Sequence, residues 1–398
     1  MQKIRNECEK YISVDISTKK ERSFIMLNEK RALIDKCKFG NVFIEAIANE
    51  ADLIDQGKLY TAYAKDEQGN DYPVYKLNMK ESNFNLKTGF SSYLGAYATL
   101  QTTITDNGFG NLICKNVEEY TSYLNSIKDD LARNYDVFID ISNITLNELE
   151  INRTFEINSE MSDYQRVFAL LMAVIPSKTQ LKVETQYTDR KSGKLNINTY
   201  YATSKRKKTS KCFTQLKWYN KTEQLDTCYR IVLNKSYVRL EITLHGSQKI
   251  KRELGSNRWS ALTDEKINAW FDGKIQDWIV KPIQSWKEDQ YRYIFDLINE
   301  HRKTDGYKWV NRCLTRILDA EITPASGYKP ILLDVHELLP VINDLYENGN
   351  RRKRVKNAFT TYAERDASNL THRDDLKLEE IIDKLTAKES VEESSLCA

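Results

Sequence analysis

Three stretches of this chain alternate apolar and polar residues with a period of two. That pattern restricts the fold to one built on a sheet with one face buried. In Glu148–Ile157, Leu149, Ile151, Phe155 and Ile157 fall on one side, and Glu148, Glu150, Asn152, Thr154 and Glu156 on the other, with Arg153 breaking the pattern. In Tyr237–Leu244, Val238, Leu240, Ile242 and Leu244 oppose Tyr237, Arg239, Glu241 and Thr243. In Phe213–Glu223, read as a strand, Leu216 and Trp218 oppose Lys217, Tyr219 and Lys221. Each stretch pairs a face that needs a core with a face that carries ionisable groups.

The remaining patterns fill in the architecture. Short strands are expected at Phe24–Leu27, Val42–Ala48, Pro73–Met79 and Val137–Ile141. Leu181–Tyr187 and Leu195–Tyr201 precede the Phe213 stretch with short loops between, which predicts an antiparallel meander. Val117–Leu131 has helical spacing, and Ser162 with Gln165 forms a capping-box signature before an apolar helix that stops at Pro176. Gly108-Phe-Gly110 lacks the Lys-Ser/Thr that a phosphate loop needs. From Thr263 onward the pattern is helical, with Trp270, Trp278, Trp286, Ile294, Leu297 and Ile298 as core and a break at Pro282. Further helices are expected near 307–320, 334–347 and 352–365. The fold class is therefore α+β: an antiparallel-sheet domain with buried helices, followed by a mostly helical C-terminal region. Residues 1–135 are expected to form an α+β region, a binding unit of its own (for DNA, if the basic clusters below are read so) or part of the same sheet, and 136–255 the sheet core that carries the ionisable faces. Residues 256–370 form the helical region, and 371–398 a polar tail expected to fray.

Composition narrows the function classes. A net charge of +3 over 398 residues does not announce a nucleic-acid binder. Any such binding must come from local asymmetry: Lys205, Arg206, Lys207, Lys208, Lys211, Lys217 and Lys221 occur with no acidic residue among them, and Arg351, Arg352, Lys353, Arg354 and Lys356 form a second cluster, although a solvated loop and a solvated helix face fit them too. The 7 Cys are dispersed, as expected of free thiols in a reducing cytosol. The charged N-terminus and the short longest apolar run, Val167–Ile175, predict a cytoplasmic protein with no membrane association. His245, His301, His336 and His372 are widely spaced, which argues against a His-based metal site or a Ser-His-Asp hydrolase.

If the three alternating strands share one sheet, Glu148, Glu150 and Glu241 converge with Tyr219, Lys217 and Lys221. Such carboxylates suit Mg²⁺ or Mn²⁺. A metal there would polarise a phosphodiester for attack by Tyr219. A phenol has a pKa of about 10, and the two lysines are expected to lower it. A charged outer face is also the ordinary dress of a solvated antiparallel sheet, and the residues alone leave both readings open.

Leu-Lys-Trp-Tyr-Asn-Lys-Thr-Glu-Gln-Leu at 216–225 resembles the tyrosine motif of rolling-circle replication initiators of the filamentous-phage gene II type. Tyr-Val-Arg-Leu-Glu-Ile-Thr-Leu at 237–244 and Leu-Glu-Ile-Asn-Arg-Thr-Phe at 149–155 resemble that family's two acidic strands. The resemblance covers about 140–245. It implies a DNA nickase with Tyr219 as nucleophile, Lys221 beside it, and Glu241 and Glu150 as metal ligands. Glu223 comes one residue early for the family pattern, and a strict alignment on Thr-Phe puts Asn152 near the ligand slot. In related plasmid-type enzymes the nucleophile lies one strand earlier, which makes Tyr200 and Tyr201 rivals. The implied activity is nicking of one strand at a double-strand origin, leaving a 5′-phosphotyrosine and a 3′-OH primer, with host helicase and polymerase as partners of a phage or plasmid protein. Basic residues, Arg239 among them, would hold DNA. A conjugative relaxase and a non-catalytic origin-binding protein are the alternatives.

Overall fold

A computed structural model of the chain describes residues 11–15, 23–26, 31–65, 68–77, 84–88, 97–104, 112, 114–175, 179–182, 186–188, 195–197, 199–204, 212–304, 338–365 and 373–386. An eleven-stranded sheet runs through the molecule. Across it the order is Thr179–Lys182, Thr199–Ser204, Phe213–Asn220, Ser236–His245, Thr145–Ile157, Leu33–Ile47, Tyr97–Thr103, Phe84–Thr88, Asp71–Leu77 and Leu59–Lys65. Val137–Asp140 pairs alongside the end of Leu33–Ile47. Neighbours pair antiparallel, so the fold is α+β with an antiparallel sheet, as its alternating strands predict.

Five strands carry the candidate site: β1 (Leu33–Ile47), β2 (Thr145–Ile157), β3 (Thr199–Ser204), β4 (Phe213–Asn220) and β5 (Ser236–His245). They lie side by side in the order β3-β4-β5-β2-β1. One register row is Ala202, Leu216, Ile242 and Ile151, all buried on the core face. The helix Gln165–Ala173 covers this face, with Phe168 stacked on Tyr200 at 5.5 Å and against Trp218 at 5.4 Å between ring centres. Its start differs from expectation. Ser162 lies in a 3₁₀ turn, Met161–Tyr164, and its hydroxyl bonds Glu160, so no capping box forms.

Five strands between 33 and 103 belong to the same sheet, whereas Tyr11–Asp15 and Ser23–Met26 pair with Val232–Leu233 in a separate three-stranded sheet. The first core also takes in Ile250, Ile267, Phe271, Ile275, Ile283 and Trp286, so sheet and helices are not divided near 250–262. A second, smaller core begins at Ile294 and Ile298 and adds Leu338, Val341, Ile342 and Val355. Pro282 does not break the helices: a π-helical turn, Gln276–Val280, joins Asp264–Ile275 to Lys281–Thr304. A π turn suits this point because proline has no N–H to donate. The segment expected to fray contains the helix Asp374–Thr386, which buries Leu378, Ile381 and Leu385 in the first core. Its apolar residues recur at helical spacing, which the acidic and polar composition conceals. Residues 307–320 and the turn at 106–108 lie outside the described residues.

Candidate active site

The pairing of β1 with β2 runs Leu33 with Asn152 and Ile34 with Ile151, then jumps to Lys36 with Glu150. Asp35 is the extra residue of this bulge. Bulges re-aim a side chain, and this one puts Asp35 on the polar face. Carboxylate oxygens of Asp35, Glu150 and Glu241 come within 4.8 Å of one another. Asp35 and Glu241 are buried and Glu150 is partly so. Burial, reinforced by Glu241 and Asp35, holds the Glu150 carboxyl well above the usual carboxylate range. Lys217 Nζ lies 3.2 Å from Glu241 Oε1. Burial pulls its ammonium down, but Glu241 and Glu150 outweigh that and the net direction is up.

Tyr219 sits opposite Arg239 on β5, on the same face, and is 3% exposed. Lys217 Nζ stands 4.3 Å and Lys221 Nζ 5.9 Å from its ring centre. The expectation that these lysines lower the phenol is corrected. Burial pushes Tyr219 well above 10, Arg239 is the cation that most opposes this, and Glu241, Asp35 and Glu150 add to the rise. A cation held by those carboxylates would cancel the field that disfavours a phenolate.

Two further expectations change. The strand ends at Asn220, whose side chain accepts the Glu223 N–H at 3.0 Å and caps the helix α1 (Lys221–Tyr229). Lys221 is therefore the first helical residue, fully buried, donating to Gln224 Oε1 at 2.9 Å, with its ammonium held well below its usual pKa by burial and by Arg239. Arg239 is also fully buried, donating to Thr154 Oγ1 at 2.7 Å, to Asp35 Oδ2 at 3.1 Å and to the Leu112 carbonyl at 3.1 Å. A guanidinium so enclosed positions Asp35 and does not contact a DNA backbone.

Glu148 is drawn away from the carboxylate cluster by Lys36 at 2.9 Å and His245 at 3.0 Å. Asn152 lies opposite Glu241, and its amide nitrogen donates to the Leu33 carbonyl at 3.3 Å and to Cys114 Sγ at 3.2 Å. Tyr200 pairs with Trp218 and stacks on Phe168 on the core face, the side opposite the carboxylates, which counts against it as a rival nucleophile. Tyr201 faces the site opposite Lys217 and is half-buried. Lys205, Arg206, Lys207, Lys208 and Lys211 lie outside the described residues. Arg351, Lys353 and Arg354 are exposed on the helix Gly349–Arg365. Arg352 bonds back to the Tyr346 carbonyl at 2.8 Å and is occupied there.

The sequence reading missed Asp35. In Leu33-Ile-Asp-Lys-Cys-Lys the acid has no partner motif, and only the bulge brings it to Glu150 and Glu241. All three ligand atoms are hard oxygens from charged carboxylates, a donor set that fits Mg²⁺ or Mn²⁺ and suits zinc or copper poorly. Next to Tyr219 a pocket of about 310 Å³ opens between the β3–β4 pair and α1.

No family model and no curated protein matches this chain. A solved structure described as the di-domain ARO/CYC BexL from the BE-7585A biosynthetic pathway aligns over 59% of this chain and 92% of its own, at 10% identity and a TM-score of 0.19. A likeness that slight carries no argument about fold or chemistry. Among the described residues, no helix is long and apolar enough to cross a membrane.

Proposed function

We propose that this protein is a replication initiator that nicks one DNA strand through Tyr219. The observation that carries the reading is the placement of a tyrosine between two lysines, on the same sheet face as three carboxylates on three neighbouring strands. Asp35, Glu150 and Glu241 would hold one divalent ion. When bound, that ion supplies Lewis-acid polarisation of the scissile phosphate. The chain's own residues do the rest. Arg239 fixes Asp35 and opposes the proton on Tyr219. Lys217 reaches from Glu241 towards the Tyr219 ring and would counter charge developing on the phosphate. The helix α1 starts at Lys221, two residues after Tyr219, with Asn220 as its cap.

In the reaction the Tyr219 oxygen forms a bond to phosphorus as the bond to the 3′ oxygen breaks. The phenol gives up its proton and the departing 3′ oxygen takes one up. The 5′ phosphate stays on Tyr219 with the energy of the broken bond retained, and the free 3′-OH primes synthesis. Double-stranded origin DNA, the nicked strand and host helicase and polymerase are the partners this reading needs, in the cytoplasm of a bacterial host. Exposed Arg351, Lys353 and Arg354 suit contacts to duplex phosphates. The test is supercoiled DNA of the gene's own replicon with Mg²⁺ or Mn²⁺. Open circles with protein bound to the 5′ end support the reading, and intact supercoils with either metal reject it.

A further inference from the structure

The pocket beside Tyr219 has walls of two kinds. On the strand side Tyr201 stands opposite Lys217, next to Tyr219 itself. On the helix side Asn220, Glu223, Gln224 and Thr227 recur at the spacing of one helix face, so α1 turns a polar stripe into the space. The volume of about 310 Å³ is at the small end for ligand sites and fits one planar heterocycle, not a duplex. Gln224 spends its carbonyl oxygen on Lys221 at 2.9 Å, so a ligand would meet its amide N–H donors. Glu223 offers a carboxyl, raised above its usual range by burial and by Asp226. Tyr201 puts an aromatic ring on the pocket wall. An aromatic platform with amide and carboxyl groups around it is the chemistry that reads the edge of an unstacked nucleobase.

We propose that this pocket binds one extruded DNA base flanking the scissile phosphate, with Tyr201 as the stacking platform and Gln224 and Glu223 reading the base edge. The inference rests on the nicking reading and adds to it a source of sequence preference at one nucleotide. It also gives Tyr201 a role other than that of rival nucleophile.

The experiment uses the full chain, Mn²⁺ and short single-stranded DNA of random sequence. Strands joined covalently to the protein are recovered with their released partners, and both are sequenced. Wild type should show a strong base preference at one position next to the cut. Thr227→Trp, a change at an exposed position on the pocket wall, should lose that preference and cut capture by about tenfold or more, with unchanged thermal melting. Gln224→Ala should alter which base is preferred. Capture by wild type without any flanking preference, or a preference that Thr227→Trp leaves intact, overturns the pocket assignment alone. No capture by wild type overturns the nicking reading and the pocket with it.

Discussion

Lys217 Nζ lies 3.2 Å from Glu241 Oε1, so an ammonium stands at the edge of the cluster where a divalent cation would bind. Its charge works against that cation. Lys217→Met should therefore bind Mn²⁺ about tenfold more tightly in a paramagnetic-resonance titration, a change of about 1.4 kcal/mol. The same variant should nick poorly, because the charge beside the phosphate is gone. Unchanged Mn²⁺ affinity would show that the lysine does not sense the site.

Arg239 separates a structural role from a DNA-contact role. It is fully buried and bonds Asp35, Thr154 and the Leu112 carbonyl. Arg239→Met strands the Asp35 carboxylate, and breaking a buried pair typically costs about 3–5 kcal/mol. Urea unfolding should show a loss of that order. A surface arginine would cost less than about 0.5 kcal/mol, and a loss that small would return Arg239 to the DNA-binding surface.

Arg153, the residue that broke the alternation of its strand, is buried on the core face and donates to the Leu385 carbonyl at 2.5 Å and to Asp272 at 2.8 Å. It ties the end of the C-terminal helix to the sheet. Arg153→Leu should lower amide-exchange protection across Asp374–Thr386 while protection in β5 persists. Equal protection in the variant would mean that Leu378, Ile381 and Leu385 hold the helix unaided.

Two carboxylates contribute acid sensitivity to the fold. A hydrogen bond with His245, joined by Lys36, takes Glu148 from 4.5 down to about 2 against the pull of burial. Burial raises Glu253, but Lys249, Lys274 and Trp270 outweigh it and bring it to about 2. Both folded values lie below the unfolded one, so their stabilisation is complete above about pH 4.5 and is lost as pH falls towards 2. The fall in pKa alone would give about 3 kcal/mol each, and solvent screening of these partly exposed pairs brings this to on the order of 1–2 kcal/mol. Glu253→Gln should be less stable at neutral pH and lose less on acidification. A parallel decline in wild type and variant would contradict the assignment.

Much of this was legible in the residues. Period-two alternation placed Tyr219, Glu150 and Glu241 on one face, because a sheet with one buried face cannot slip register without exposing its core. It did not separate Tyr201 from Tyr200, because neighbouring tyrosines look alike until the strand's facing is known, and only the pairing with Phe213–Asn220 shows it. Asp35 was illegible because a bulge is a local insertion with no periodic trace. The helix after Asn220 was overlooked because Lys217, Tyr219 and Lys221 kept the strand's alternation past the point where Asn220 caps a helix. The buried fates of Lys221 and Arg239 depend on neighbours distant in sequence, Cys114 and Asp35 among them.

The central claim is that Tyr219 becomes joined to DNA. Intact-protein mass spectrometry after incubation with replicon DNA, Mn²⁺ and nuclease trimming measures this directly. The account predicts a nucleotide adduct mapped to the peptide containing Tyr219, absent in Tyr219→Phe and present in Tyr200→Phe and Tyr201→Phe. An adduct that survives in Tyr219→Phe and vanishes in Tyr201→Phe would contradict it.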